Sequence, residues 1–190
     1  MPEASSGLVT YKLDPAASTF TVRAFAEGLL SAFGHDPVIG VKDFQGEASF
    51  VPGTFENASV KLTINVNSLR VINDVKDKDR RDIESAMHED VLESRKYPEI
   101  VFQSSNVSVS RVGEGRYRAR VIGDLTLHGV TQSNVWISGE VSMTKDGLRA
   151  KGEVPVRQTD YKIKPVSVAG GTLKIKNEVK CSFDIVAHPG

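Results

Sequence analysis

The sequence predicts an all-β fold: an antiparallel up-and-down barrel of about eight strands with one helix between strands. Three observations predict it. Apolar residues recur with a period of two along several separate runs. Glycine-bearing reversals separate those runs, and one segment alone carries helical periodicity.

The elements follow in chain order. Phe20, Val22, Ala24 and Ala26 share one face of the first run. Val60, Leu62, Ile64 and Val66 do the same against Ser59, Lys61, Thr63 and Asn65. The segment Asp79 to Leu92 reads as helix, with Ile83, Met87 and Val91 on one face. Asp79 or Asp82 is expected to cap it, and the dense carboxylates Asp77, Asp79, Asp82 and Glu84 suit the positive end of its dipole. After Pro98 a strand is expected near Ile100, with Phe102 on its inner face.

Four further runs alternate. Tyr117, Ala119, Val121, Gly123, Leu125 and Leu127 form the first, and Val135, Ile137, Gly139, Val141 and Met143 the second. Leu148, Ala150, Gly152, Val154 and Val156 form the third. The last and longest runs from Leu173 through Ile175, Asn177, Val179, Cys181 and Phe183 to Ile185. Gly113-Glu114-Gly115, His128-Gly129 and Asp146-Gly147 mark reversals between strands. Long strands with one dry face tend to close, because closure removes exposed edges.

The 190 residues suit one domain, 1–190, with flexible ends near 1–7 and 188–190. Lys plus Arg and Asp plus Glu each number 24, and the two signs are interleaved. That pattern lacks the clustered basic face of a nucleic-acid binder. Residues 1–7 lack the charged-then-apolar layout of a signal peptide, so the chain as given is expected in the cytoplasm. A periplasmic or secreted location follows if such a peptide was removed. A homodimer is left open.

Signals for chemistry are sparse. His35, His88, His128 and His188 lack zinc-motif spacing. His35-Asp36 is the most suggestive pair for acid–base or metal chemistry; the plainer reading is a loop before the strand near Ile39. His128 sits in a tight reversal, where a turn role outweighs ligand contact, and His88 reads as solvated. Cys181 shares a face with Val179 and Phe183, as a small core residue would, and as the single cysteine it precludes an internal disulfide. No cofactor motif appears, and no serine stands in Gly-x-Ser-x-Gly. A barrel of about eight strands either fills its interior or holds one small ligand. The small inward residues leave room and Phe102 and Phe183 fill it, so alternation leaves both readings open.

Two segments carry a resemblance: Tyr97-Pro98-Glu99-Ile100-Val101-Phe102-Gln103-Ser104 and Gly123-Asp124-Leu125-Thr126-Leu127-His128-Gly129-Val130-Thr131. Asp43-Phe44-Gln45-Gly46 and Val91-Leu92 before Tyr97-Pro98 add to it. In this order, from Tyr11 to Val186, the chain resembles the YceI family, a lipocalin-like fold associated with polyisoprenoid binding. One departure is Ser85 in Arg81-Asp82-Ile83-Glu84-Ser85, where the family's helix opening has Leu.

The resemblance implies an apolar tunnel holding a polyprenyl chain, such as an isoprenoid quinone tail, and no catalytic residues. It makes the protein a binder that carries or stores such a lipid. By alternation the expected lining is Phe20 and Val22, Leu62 and Ile64, Phe102, Val121 and Leu125, Val135 and Ile137, Val154, and Ile175, Val179 and Phe183. Ile83 and Met87 are expected to close one end, and His35 or Asp36 to meet a head group at the mouth. The alternatives are a metal-dependent or His-based enzyme using His35 and Asp36, and a filled barrel acting through protein partners.

Overall fold

A computed structural model describes residues 7–27, 36–168 and 173–190. Among these residues thirteen strands form in chain order. The first six are β1 (Val9–Arg23), β2 (Ala26–Glu27), β3 (Val38–Gly40), β4 (Phe44–Phe50), β5 (Ser59–Asn65) and β6 (Arg70–Val71). Helix α1 (Asp77–Ala86) follows, running straight into a π-helical turn over Met87–Val91. The rest are β7 (Glu99–Gly113), β8 (Arg116–Leu127), β9 (Val130–Thr144), β10 (Gly147–Arg157), β11 (Ser167–Val168), β12 (Leu173–Ile175) and β13 (Glu178–Pro189).

Eight of these strands close on themselves in the order β1, β4, β5, β7, β8, β9, β10, β13 and back to β1. Every pairing among them is antiparallel. Strand β1 makes closure possible by bending. Its register on β13 shifts between Asp14 and Thr19, where the Asp14 carboxylate accepts from the N–H groups of Ala16 and Ala17 at 2.9 and 3.2 Å. Before the bend β1 pairs with β4; after it, with β3, which leads to β6.

The reversals read from the sequence are all present. His128 and Gly129 both take positive φ, 52° and 70°, as a two-residue hairpin turn of matching twist requires. A Cβ on Gly129 would lie 2.5 Å from the Tyr97 ring, so close packing as well as φ demands glycine there.

Four expectations need correction. His188–Gly190 is no loose end: His188 and Pro189 pair with Lys12 and Tyr11, and the Gly190 N–H donates to the Thr10 carbonyl at 2.9 Å. Neither Asp79 nor Asp82 caps α1; Lys76 occupies the N-cap without a side-chain bond, and Asp77 and Asp79 lie in the first turn. His88 is half-buried rather than solvated, with Nε2 3.0 Å from the Leu69 carbonyl oxygen. The run from Leu173 to Ile185 is broken at Lys176–Asn177. There the backbone bonds elsewhere: the Lys176 N–H donates to the Phe25 carbonyl, and the Asn177 carbonyl accepts from the Gln158 N–H. Strand β12 therefore leaves the barrel and forms a small sheet with β11 and β2.

Packing is uneven. One buried cluster, around Ile39, Phe44, Ile64, Leu69 and Met87, gathers Ile83, Leu92 and Ile100 beneath the helix. A second, around Phe50, Leu148 and Ala187, gathers Tyr11, Phe55 and Met143. Aromatic rings continue it, Tyr11 on Phe50 at 5.4 Å, Phe50 on Phe55 at 5.3 Å and Phe55 on Tyr117 at 4.8 Å. The inward residues of β8 and β9 are different: Ala119, Val121, Leu125, Val135 and Ile137 are only half-buried. They face a void.

Ile64→Ala is expected to cost about 2–5 kcal/mol, because deletion in a packed cluster loses transfer energy and leaves a cavity. Val112→Ala, at a position 53% exposed, is expected to change stability by no more than about 0.5 kcal/mol. Denaturant unfolding of the two variants checks this; equal effects would contradict the packing described.

Candidate ligand cavity

The void is a cavity of about 400 Å³ inside the barrel. That volume falls within the roughly 300–1,000 Å³ of pockets that hold small-molecule ligands. Its walls come from every barrel strand and from the π-helical turn, which contributes Met87 and Val91.

Alternation explains the wall. Once the sheet closes, every second residue of a strand points inward. Phe20, Val22, Leu62, Ile64, Phe102, Val121, Leu125, Val135, Ile137, Val154, Val179 and Phe183 all line the cavity, as does Met87. Three expected residues do not. Ile175 sits on β12 opposite Ala26, outside the barrel, for the reason given above. Ile83 packs against the helix-side cluster, one layer behind Met87. Asp36 is absent from that wall: its carboxylate lies 3.2 Å from Arg23 Nη2 and accepts from the Ala26 N–H at 2.9 Å. His35 lies outside the described residues.

Alternation missed other wall residues. Val107 and Val109 line the cavity although they have the opposite parity to Ile100 and Phe102. A bulge between Ser104 and Asn106 inserts one residue and switches the face of β7. Leu13 comes from the half of β1 before its bend, and Ala48 and Phe50 from β4, where short or interrupted alternation gives no strand signal.

The wall is dry. Ser49, Ser59 and Gln158 are its polar side chains among the described residues. Ser49 Oγ lies 2.8 Å from Thr10 Oγ1, and Gln158 Nε2 donates to the Lys176 carbonyl at 2.9 Å. Cys181 is the titratable group on that wall, and burial pushes its thiol up to about 12. A thiol held protonated is a poor nucleophile. The cavity therefore offers apolar contact and, among the described residues, no carboxylate or imidazole for acid–base work.

Polar groups gather outside the cavity at one rim. His128 places Nε2 2.6 Å from Glu93 Oε2 and Nδ1 3.2 Å from the Tyr161 carbonyl oxygen, with its ring 4.5 Å from that of Tyr97. Tyr161 is buried, which raises its phenol to about 12. This arrangement ties the β8–β9 turn to the segment after the helix and to the turn after β10. His128 has the turn role read from the sequence, and its partners Glu93 and Tyr161, distant in the chain, carried no sequence signal.

The family model of the YceI-like domain matches residues 11–187. The chain belongs to the YceI-like family. A UPF0312 protein of Pseudomonas fluorescens is 30% identical over 145 residues, 73% of this chain and 70% of that protein. A UPF0312 protein of Ectopseudomonas mendocina is 33% identical over 159 residues, 80% of this chain and 78% of its own length. Among solved structures, Burkholderia cenocepacia BcnA superposes with a TM-score of 0.67 at 20% identity, covering 92% of this chain and 98% of that one. A polyisoprenoid binding domain from Saccharophagus degradans gives 0.67 at 14% identity, covering 96% and 99%. At these identities the two structures share the fold with this YceI-like chain.

The Cys181 assignment yields a chemical prediction. With the thiol raised to about 12, native protein at pH 8 should react with iodoacetamide roughly a thousandfold more slowly than the unfolded chain, whose thiol titrates near 8.5. Mass-spectrometric labelling kinetics check it, and labelling at the unfolded rate would contradict the burial.

Proposed function

We propose that the barrel binds a long apolar isoprenoid lipid, such as a polyprenyl quinone, in its interior, and carries or stores it. The observation that supports this most is the dry cavity itself: about 400 Å³ walled by aliphatic and aromatic side chains, with the buried Ser49 and Gln158 already partnered and Ser59 exposed. Unfilled space of that kind costs contacts, and an apolar chain restores them. The likeness of the fold to a polyisoprenoid binding domain supports the same ligand class.

The energetics are favourable in size. Apolar burial yields roughly 25 cal/mol per Å², so several hundred Å² of prenyl chain would gain up to about 10 kcal/mol before the costs of ordering and association. The site residues of this proposal are the cavity-wall members Phe20, Val22, Leu62, Ile64, Met87, Phe102, Val121, Leu125, Val135, Ile137, Val154, Val179 and Phe183. Catalysis has less support. Asp36, half of the pair that suggested acid–base chemistry, is held by Arg23 and the Ala26 N–H.

Organic extraction of purified protein followed by mass spectrometry tests the reading. Wild type is expected to yield a prenyl lipid, natively bound or loaded in vitro. Leu125→Trp and Ile137→Trp, which push an indole into the cavity, are expected to lower the yield by at least about tenfold while the far-ultraviolet dichroism stays that of the wild type. Lipid retained by both variants, or none loaded into wild type, would leave the barrel without this function.

A further inference from the structure

Among the described residues, strand pairing is incomplete along one side of the barrel. Strands β9 and β10 leave their hairpin as a regular ladder from Thr144 and Gly147 to Gly139 and Gly152, and there the pairing stops. Both strands continue. Strand β9 stays paired with β8 down to Val130, and β10 stays paired with β13 down to Arg157. Between them a wedge opens, with Gly139 and Gly152 at its apex. Its base is bridged where Gln132 Nε2 donates to the Asp160 carbonyl at 2.7 Å.

The chain is built to keep the wedge open. The Gln158 N–H donates to Asn177, which lies opposite it in the continued β10–β13 register. Backbone groups of an antiparallel strand alternate sides, so Glu153, Pro155 and Arg157 turn theirs toward β9. Pro155, in the middle, has no N–H to donate. Proline inside a sheet is found where a strand has no neighbour on that side. On the opposite lip β9 carries a bulge at Ser133 and Asn134, with Asn134 at φ 60°, between the pairs Gly123–Val135 and Leu125–Gln132. A bulge bends its strand and increases its twist.

An aromatic ring stands at the apex. Gly152 lies opposite both Gly139 and Phe183. The Phe183 ring covers both glycines from within: its Cζ would be 2.5 Å from a Cβ on Gly152 and 3.4 Å from one on Gly139. From outside, a surface depression rimmed by Arg118, Lys151 and Glu153 reaches the same Gly139, Gly152 and Phe183. Phe183 and Gly139 thus belong to the wall of the cavity and to the floor of the outer depression.

We propose that the apolar chain passes into and out of the cavity sideways, through the β9–β10 wedge, with the Phe183 ring as its gate. This rests on the lipid-binding reading and adds the route. The wedge edges Val135, Ile137, Val154 and Val156 all line the cavity, so a chain sliding between the strands stays in apolar contact throughout. Lateral passage also lets a polar head group remain in water while the tail enters, which the dry interior favours.

The test straps the wedge from outside. Trp136 and Pro155 stand on its two lips and are exposed, away from the cavity wall. The double variant Trp136→Cys/Pro155→Cys is bridged with a short bismaleimide, and the same protein capped at both sites with N-ethylmaleimide is the control. Uptake and release of tritiated geranylgeraniol, supplied from phosphatidylcholine vesicles, are followed in time. The bridged protein is expected to exchange at least about tenfold more slowly than the capped one, as for a gated site. Phe183→Ala in the otherwise unaltered chain is expected to exchange faster than wild type. Equal rates in bridged and capped protein, both loaded, would overturn the lateral route and leave the lipid-binding reading standing. No uptake by capped protein or wild type would overturn the lipid-binding reading, and the route with it.

Discussion

Closure of β1 on β13 is the constraint on which the rest depends. It gives each strand of the ring a neighbour on both sides over at least part of its length and fixes which face of each is dry. The bend at Asp14 lets one strand serve two neighbours, β4 and β3, while it stays on β13. Ala187, at the centre of this joint, is wholly buried. On the outer side of β13, Arg149 and Lys151 reach Asp184 at 2.6 and 3.1 Å, and the Arg149 hydrogen bond first of all holds that carboxyl down at about 2.

Given closure, side-chain size decides where the barrel is solid. Large residues collect in two clusters that meet at Leu13. Along the other side the inward positions hold Ala119, Gly139, Ala150 and Gly152, which are too small to reach across. A ring of eight strands has an interior that side chains can fill or leave for one small ligand. Here small residues on β8 to β10 leave it. The same glycines let two strands part, so the cavity and the wedge come from one economy of side-chain volume.

The dryness of the space sets its chemistry. A buried polar group without a partner is costly, and the buried polar side chains on the wall, Ser49 and Gln158, have partners. Charged and imidazole groups stand at the rim and on the outer face, as the His128–Glu93 pair and the Arg149–Asp184 pair do. This distribution fits a protein that takes up an apolar body and leaves the polar end of its ligand to the solvent.

Much of this was legible in the alternation of residues. The barrel, the three hairpin turns and twelve of the inward strand residues follow from the period of two, because closure turns one face of each strand inward. What was not legible has local causes. The bulge at Ser104–Asn106 moved Val107 and Val109 to the face that simple alternation assigns to solvent. Backbone bonds at Lys176 and Asn177 diverted Ile175 from a run that looked continuous. Pro155 within an alternating run was the one sequence sign of the wedge, and it acquires meaning only once its missing neighbour is known. The partners of His128 lie far along the chain and no spacing rule connects them.

The central claim is that an apolar chain occupies the interior. Methyl NMR of protein labelled at Ile, Leu and Val tests it most directly, by titration with geranylgeraniol. The account predicts that the methyls of Val121, Leu125, Ile137 and Val154, which line the cavity, shift and give intermolecular contacts to the prenyl chain. Ile72 and Val112, exposed on the outside, stay unchanged. Shifts confined to the outer methyls, with the cavity set unmoved, would contradict it.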